Sequence, residues 1–430
     1  MTEHKTHTFV GFGFGPIQAG LFLYEAARSG NFGRLVVAEV NPALVQDVRN
    51  NGGTVSINIA HQDRLETAKI SGIEIFNPNQ AEDRHALIEA ISEAHEIATA
   101  VPSVDFYVSD SPGSIHHLLA QGLMQKAQKG GQECVIYTAE NNNSAAEFLQ
   151  DAVEQSLAAQ NSYSRALDRT QILNTVIGKM SQVVNLGEID TNHDLVPITP
   201  QSDRAILVEA FNAILISKIT FEKGFQRGIE VFQEKKDLLP FEEAKLFGHN
   251  AVHAALGFLG TCLGEEIVSD LRHYPQLIGF LRAMFLDEIG AALCQKHQGV
   301  DELFTEAGFR NYAEDLLERM LNPFLMDAME RLTRDIDRKL GWEDRMIGAM
   351  RVCVNNRVNP RRLAFSVAAA LYVFASQNIN AVPRIFDEHR LKWEQRSNSD
   401  EELDAVVDMI KTGMIDFTLW EKQGFDINQL

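Results

Sequence analysis

Thr8-Phe9-Val10-Gly11-Phe12-Gly13-Phe14-Gly15-Pro16-Ile17-Gln18-Ala19-Gly20 begins as a short β-rich run, turns at closely spaced glycines and enters a helix that continues to Ala27. Strand, glycine turn and helix in that order is the context in which a G-x-G-x-x-G run binds a dinucleotide. Glycine permits the tight turn and lets backbone approach a pyrophosphate, which settles at the helix N-terminus where amide hydrogens point outward. Gly13 and Gly15, followed by Pro16 and Ile17, fill the first part of the pattern. Its third glycine is missing: Gln18 holds that place, and Gly20 follows two residues later. Alone, the turn leaves a nucleotide site and an ordinary Gly-rich turn both open.

The next element shifts the balance. Arg34-Leu35-Val36-Val37-Ala38-Glu39-Val40 reads as a second strand ending in an acid. It lies at about the 20-residue spacing of the carboxylate that accepts the adenosine ribose hydroxyls and repels a 2′-phosphate. Glu39 therefore points to NAD rather than NADP, unless it is only an exposed strand end. Beyond it, extended and helical runs alternate. Segments 55–59 and 73–76 look extended, and 83–94 has apolar residues at helical spacing. Segment 96–101 reads as a strand stopped by Pro102, and helix 115–127 leads to strand 134–139. That strand ends at Glu140-Asn141-Asn142-Asn143, where a parallel strand delivers residues to a ligand crevice. This is either a plain turn or the place where Asn141 bonds a substrate oxygen. Segment 172–177 is a further strand, followed by Gly178-Lys179.

After about residue 205 the texture changes. Extended character survives near 213–219, and from 241 onward the pattern is helical, including single helices over 241–263 and 322–340. The reading is an α/β N-terminal Rossmann-like domain over 1–205, with a doubly wound, mostly parallel sheet, and a mostly α-helical domain over 206–430. A chain of 430 residues has room for both. Its formal charge of −20 argues against a nucleic-acid or anionic-membrane partner. No apolar run has the length of a membrane span, and the N-terminus lacks a signal-peptide pattern, so a cytoplasmic protein is expected. Cys134, Cys262, Cys294 and Cys353 show no short-spaced pair, which indicates neither a disulfide framework nor a cysteine metal site.

Lys245-Leu246-Phe247-Gly248-His249-Asn250-Ala251-Val252-His253 opens the first helix of the second half. At about 100° per residue, Asn250 lies about 140° round from Lys245 and His253 about 80° round. The three share one broad side, among small residues that would let another element pack close. A lysine, an amide and an imidazole together offer a proton acceptor, an oxygen clamp and an orienting group. The same residues also suit a solvated helix face. His249 and His253 have the i, i+4 spacing of a zinc helix, with Glu265 or Glu266 as a conceivable third ligand, but Asn250 stands where a metalloprotease needs Glu. No metal is expected. Further on, Arg331, Arg334 and Arg338 would share a helix face near Lys339, interleaved with Glu330, Asp335 and Asp337.

Together these residues resemble the polyol-specific long-chain dehydrogenase/reductase family, most of all its mannitol-1-phosphate 5-dehydrogenase branch. The family's Lys-x4-Asn-x2-His signature is met by Lys245, Asn250 and His253. A second stretch is met by Asn322-Pro323-Phe324-Leu325-Met326-Asp327, Arg331, Arg334, Arg338, Lys339 and Asp344-Arg345. The resemblance covers nearly the whole chain. It implies metal-independent hydride transfer with NAD, on a sugar alcohol or sugar phosphate, by a monomer or small homo-oligomer. It implies Lys245 as general acid/base, Asn141 and Asn250 as clamps on the reacting oxygen, and His253 as the group orienting substrate. Gly13, Gly15, Pro16, Ile17, Glu39, Thr99, Ala100, Val101 and Asn141 would hold the cofactor. Arg331, Lys339, Lys218 and Lys179 would bind substrate. The chain departs from the family at Gly178 (usually Asp), Lys179 (usually Arg), Ser217 (usually Asp) and Ala19 (usually Arg), and has extra length around 103–111 and 223–234. These changes keep a fructuronate- or tagaturonate-type sugar-acid reductase and a free-mannitol 2-dehydrogenase open as alternatives, with a catalytically silent NAD-binding regulator as a reading of another class.

Overall fold

The computed structural model describes residues 7–159, 166–187 and 194–430. They form two compact units that divide between Leu239 and Pro240. The first carries twelve strands: β1 (His7–Phe12), β2 (Phe32–Ala38), β3 (Val55–Ala60), β4 (Leu65–Ile70), β5 (Ile73–Phe76), β6 (Glu96–Thr99), β7 (Cys134–Thr138), β8 (Thr170–Val176), β9 (Ser181–Asn185), β10 (Arg204–Glu209), β11 (Leu215–Ser217) and β12 (Gln233–Lys235).

Eight of them make one sheet in the order β12-β11-β8-β7-β6-β1-β2-β5. From β8 to β5 every pairing is parallel. Only β11 against β8 is antiparallel. The doubly wound, mostly parallel sheet expected from the sequence is present, with β1 an interior strand between β6 and β2. Residues alternate along β1: Phe9 joins one core and Val10 and Phe12 the other. The second core is closed by the helices Ala81–Glu93, Ile115–Gln128 and Ala145–Ala159, whose buried Leu87, Ile91, Leu119, Leu123, Leu149 and Val153 fill it. Each such side chain contributes roughly 1.5–3 kcal/mol on burial.

The opposite face holds an element that periodicity did not reveal. Strands β4-β3-β10-β9 form a second sheet, and Ile57, Ile59, Ile206 and Val208 join Phe9 and Phe22 in a shared core. This explains the boundary. Strand β10 runs across residue 205 and strands β11 and β12 lie beyond it, yet all three belong to sheets of the first unit, so the unit ends at Leu239 rather than at the expected 205.

The second unit is helical, and its helices depart from regularity at the Lys245–His253 stretch and again between Asn322 and Lys339. The expected helix over 241–263 is continuous, but its middle, Ala244–His249, is a π turn that runs into the α-helix Asn250–Cys262. The expected helix over 322–340 does not form. It becomes a 3₁₀ turn Pro323–Leu325, a short helix Met329–Thr333 and another, Ile336–Lys339. Met326 and Asp335 are left-handed, with φ of 48° and 53°. The backbone has other partners here: Val268 N–H donates to the Asp327 carbonyl and Met329 N–H to the Glu266 carbonyl, both at 2.8 Å. Those bonds hold Ala328 extended against Ile267. No single helix among the described residues is long and apolar enough to cross a membrane.

Candidate active site

The glycine turn lies where β1 is flanked by parallel β2 and β6, the point at which the strand order reverses and ligands bind in open α/β sheets. Gly13 has φ +84°, and a Cβ there would sit 2.7 Å from the Ala100 carbonyl oxygen, so the turn needs glycine. At Gly15 nothing lies within 4 Å of a would-be Cβ, which leaves open space beside the helix start. The absent third glycine has a counterpart. Gln18 is fully buried, and its amide occupies the volume that a side chain on Gly11 would fill. The close strand–helix approach is retained, with the glycine on the strand instead of the helix. The helix also opens as a π turn, Gln18–Leu23.

A cavity of about 700 Å³ extends from this turn. Gly13, Gly15, Pro16, Ile17, Glu39, Ala100 and Val101 all line it. Glu39 sits past the end of β2, with one carboxylate oxygen accepting the Asn41 N–H at 2.7 Å. Thr99 lies beneath the cavity. Its hydroxyl donates to Glu140 at 2.9 Å, alongside the Val101 N–H at 3.0 Å and the Tyr107 hydroxyl. Burial, then the Glu140 carboxylate, pushes the Tyr107 phenol far up and keeps it a donor. Glu140 thus fixes the backbone wall that Thr99, Ala100 and Val101 present. Sequence reading named Glu140 without giving it this task. It also missed the outer wall, which includes Pro78, Asn79, Phe106, Ser111 and Ser114.

The residues present fit a dinucleotide: an open glycine cradle at a helix N-terminus, an apolar crevice and a carboxylate at the end of the second strand. Asn141 is exposed just past β7. Lys179 differs from expectation. It is buried, and its ammonium donates to the carbonyls of Glu209 and, at 2.7 Å, of Phe211, which ties down the end of β10. Lys218 is exposed beside β11.

In the second unit the π turn changes the expected geometry. Its i→i+5 bond, from Asn250 N–H to the Lys245 carbonyl, sets Asn250 one wide turn above Lys245. That brings the two closer in azimuth than the 140° of a regular helix. Burial, then the Arg345 guanidinium, brings Lys245 down from the ordinary lysine range to about 8, against the opposing Glu242 carboxylate. His249 is buried and held well below the usual imidazole range by burial, then by His253 and nearby cations. The His249 and His253 rings meet edge to face at 6.1 Å. Gly257 and Gly260 let Leu332 and Met329 pack directly on this helix, the close approach that its small residues implied.

His253 and Arg331 converge on a residue that carried no predicted role. Asp327 is 4% exposed. It receives a bidentate fork from Arg331, Nε to Oδ1 at 2.6 Å and Nη2 to Oδ2 at 2.5 Å. His253 Nε2 lies 3.3 Å from Oδ2, an ion-pair contact without good hydrogen-bond alignment. Burial alone would raise the carboxyl, but His253 and Arg331 outweigh it and hold Asp327 at about 2. The four-residue step from Asp327 to Arg331 was the available signal. A cavity of about 210 Å³ lies over this pair, lined by Asn250, His253, Arg331, Arg334, Lys339 and Arg345 among others. Lys339 is brought down to about 8 by burial, then by Arg345 and Arg338. Its ammonium donates to the carbonyls of Leu332, at 2.8 Å, and of Arg334, both freed where the expected helix breaks.

One unit carries a glycine crevice at a sheet's switch point, and the other a Lys–Asn–His helix beside a cationic cavity. Residues 237–417 match the mannitol dehydrogenase C-terminal domain model. Mannitol-1-phosphate 5-dehydrogenase of Streptococcus pneumoniae serotype 4 is 25% identical over 98% of this chain and 98% of its own length. The enzyme of the Hungary19A-6 strain is 26% identical over 88% of this chain and 89% of its own. The fold matches D-sorbitol dehydrogenase in substrate-free form, with TM-score 0.73, 13% identity and coverage of 98% and 95%. It also matches mannitol 2-dehydrogenase of Pseudomonas fluorescens, solved with NAD and D-mannitol, with TM-score 0.66, 15% identity and coverage of 97% and 92%. The second unit is thus similar to the mannitol dehydrogenase C-terminal domain, and the chain along its length is similar to mannitol-1-phosphate 5-dehydrogenases.

Proposed function

We propose that this protein interconverts a hexitol phosphate, such as mannitol 1-phosphate, and its ketose phosphate, with NAD and without a metal. The coarser reading, an NAD-dependent polyol dehydrogenase, is supported by the match of residues 237–417 to the mannitol dehydrogenase C-terminal domain and by the similarity to mannitol-1-phosphate 5-dehydrogenases. The observation that carries the finer one is the cavity where Asn250 and His253 meet Arg331, Arg334, Arg338, Lys339 and Arg345. Five cations with Asp335 as the one lining acid favour an anionic end on the substrate.

NAD, when bound, supplies the hydride acceptor, held by Gly13, Gly15, Pro16, Ile17, Ala100 and Val101, with Glu39 at the ribose. The chain's own residues handle the proton. With its acidity near 8, Lys245 is partly neutral at physiological pH, so it can take the proton of a secondary alcohol and return it to the ketone oxygen. Asn250 donates its amide N–H to that oxygen as negative charge develops. His253, fixed against Asp327, holds an adjacent hydroxyl. The chemistry asks nothing of a metal, and exhaustive chelation should leave activity intact; loss with recovery on adding zinc would revive the His249–His253 pair.

The deciding assay follows NADH consumption with fructose 6-phosphate, fructose and a keto-uronate. Fructose 6-phosphate should be used far better than fructose. Equal use would move the assignment to a free polyol, keto-uronate preference would select the sugar-acid reductases, and no turnover of any would favour a silent NAD-binding regulator.

A further inference from the structure

Resting on the phosphate reading above, the pairings inside the second unit divide its cations into two groups. Arg331 is committed: Nε and Nη2 are both engaged by the buried Asp327 carboxylate, which also faces His253. Lys339 is committed as well, since two of its three ammonium donors cap the carbonyls of Leu332 and Arg334. Both residues are therefore braces of the cavity floor. Arg338 reaches the Asp344 carboxylate at 3.4 Å and Asp335 at 3.9 Å. Arg345 uses only Nε, on Asp344 at 2.8 Å. Among the described residues the Arg334 guanidinium has neither a hydrogen-bond nor an ion-pair partner, although it lines the same cavity as Asn250 and His253.

Arg334 is exposed, and the backbone sets the point from which its side chain leaves. Arg334 closes the helix Met329–Thr333 in an extended conformation (ψ 156°), and Asp335 follows in the left-handed region. Asp tolerates that region better than most residues. The Lys339 ammonium then holds the Arg334 carbonyl. A helix running through this point would have buried the Arg334 carbonyl in its own ladder and set the side chain by helical spacing from Arg331. The break releases it from that spacing.

We propose that Arg334, with the unused Nη groups of Arg345, is the phosphate reader of this site, and that Arg331 is a positioning residue acting through Asp327 and His253. A phosphate monoester dianion suits this arrangement: it presents three oxygens to donors arriving from separate elements, and Arg binds such groups through its planar fork. A carboxylate offers two oxygens in one plane and would be met by a single fork.

The test compares Arg334→Ala, Arg334→Lys and Arg331→Ala in the full-length protein. Substrates are fructose 6-phosphate and fructose, and inorganic phosphate is the competing probe. Arg334→Ala should raise KM for fructose 6-phosphate roughly 10- to 100-fold, the worth of a charged hydrogen-bond pair, with kcat within about threefold of the parent. Inhibition by inorganic phosphate should weaken by a similar factor. Arg334→Lys should recover part of both, because the charge returns without the fork. Arg331→Ala should lower kcat more than it raises KM and leave phosphate inhibition largely in place. NADH binding, read by fluorescence, should be the same in all. If Arg331→Ala instead abolishes phosphate inhibition while Arg334→Ala is silent, the division of labour is overturned. If the parent itself uses fructose as well as fructose 6-phosphate, the phosphate reading fails and takes this inference with it.

Discussion

In the first unit the crevice is shaped by main chain. A glycine turn, two parallel neighbours of β1 and a wall pinned by Glu140 make a site whose parts follow strand and helix periodicity. In the second unit the cavity is shaped by departures from periodicity: a π turn under Lys245, a left-handed Asp335 and a helix cut short so that a lysine caps its carbonyls. A site for a shared cofactor can be assembled from repeating geometry. One that must gather several cations in about 210 Å³ has to aim each side chain separately, and here it does so by interrupting helices.

The contrast implies separable failures. Lys245→Ala should lower turnover roughly 10²- to 10⁴-fold, the usual worth of a positioned proton transfer, while NADH fluorescence titration stays unchanged. Near-normal turnover would mean that the π turn does not present the acid/base. In the first unit, Glu39→Ala should reduce the NAD-over-NADP ratio of kcat/KM roughly 10- to 100-fold, since it removes both the ribose acceptor and the repulsion of a 2′-phosphate. A parent that already prefers NADP would remove Glu39 from the ribose.

Asp327→Asn should cost about 1–3 kcal/mol of stability, because it unpairs the Arg331 fork over a buried group. Turnover should fall with it, and a melting temperature equal to the parent's would show the brace to be dispensable. The smallest effect is on the pH profile. Because Lys245 must be neutral to accept a proton, kcat/KM for alcohol oxidation should rise as pH passes about 8, and that for ketone reduction should fall. Asn250→Ala should slow both directions yet keep the inflection, and Lys245→Ala should erase it.

The same contrast explains what the sequence disclosed. The parallel sheet, its glycine turn and Glu39 were legible because alternation and spacing report directly on strands and turns. So was the Lys245–Asn250–His253 helix, though not its π turn, because residues five apart look alike in either winding. The sheet β4-β3-β10-β9 was hidden because it joins strands far apart in sequence and packs where a covering helix is the usual solution. The helix read over 322–340 failed because the backbone of Asp327 and Met329 bonds to 266–268, a tertiary partner that local pattern cannot announce. Asp327 was overlooked for a related reason: its value lies in His253, seventy-four residues away by simple subtraction of 253 from 327.

The exchange at Gly11 and Gln18 bears on how such chains are found. The fingerprint asks for a small residue on the helix, but the physical demand is only for one bare backbone where helix and strand touch, and either side can supply it. Gly11→Ala should be poorly tolerated here while Gly11→Ala with Gln18→Gly should be restored, the vacancy having changed sides. A pattern search that fixes the third glycine in one column would pass over this protein, whereas one that scores the strand–helix pair jointly would retain it.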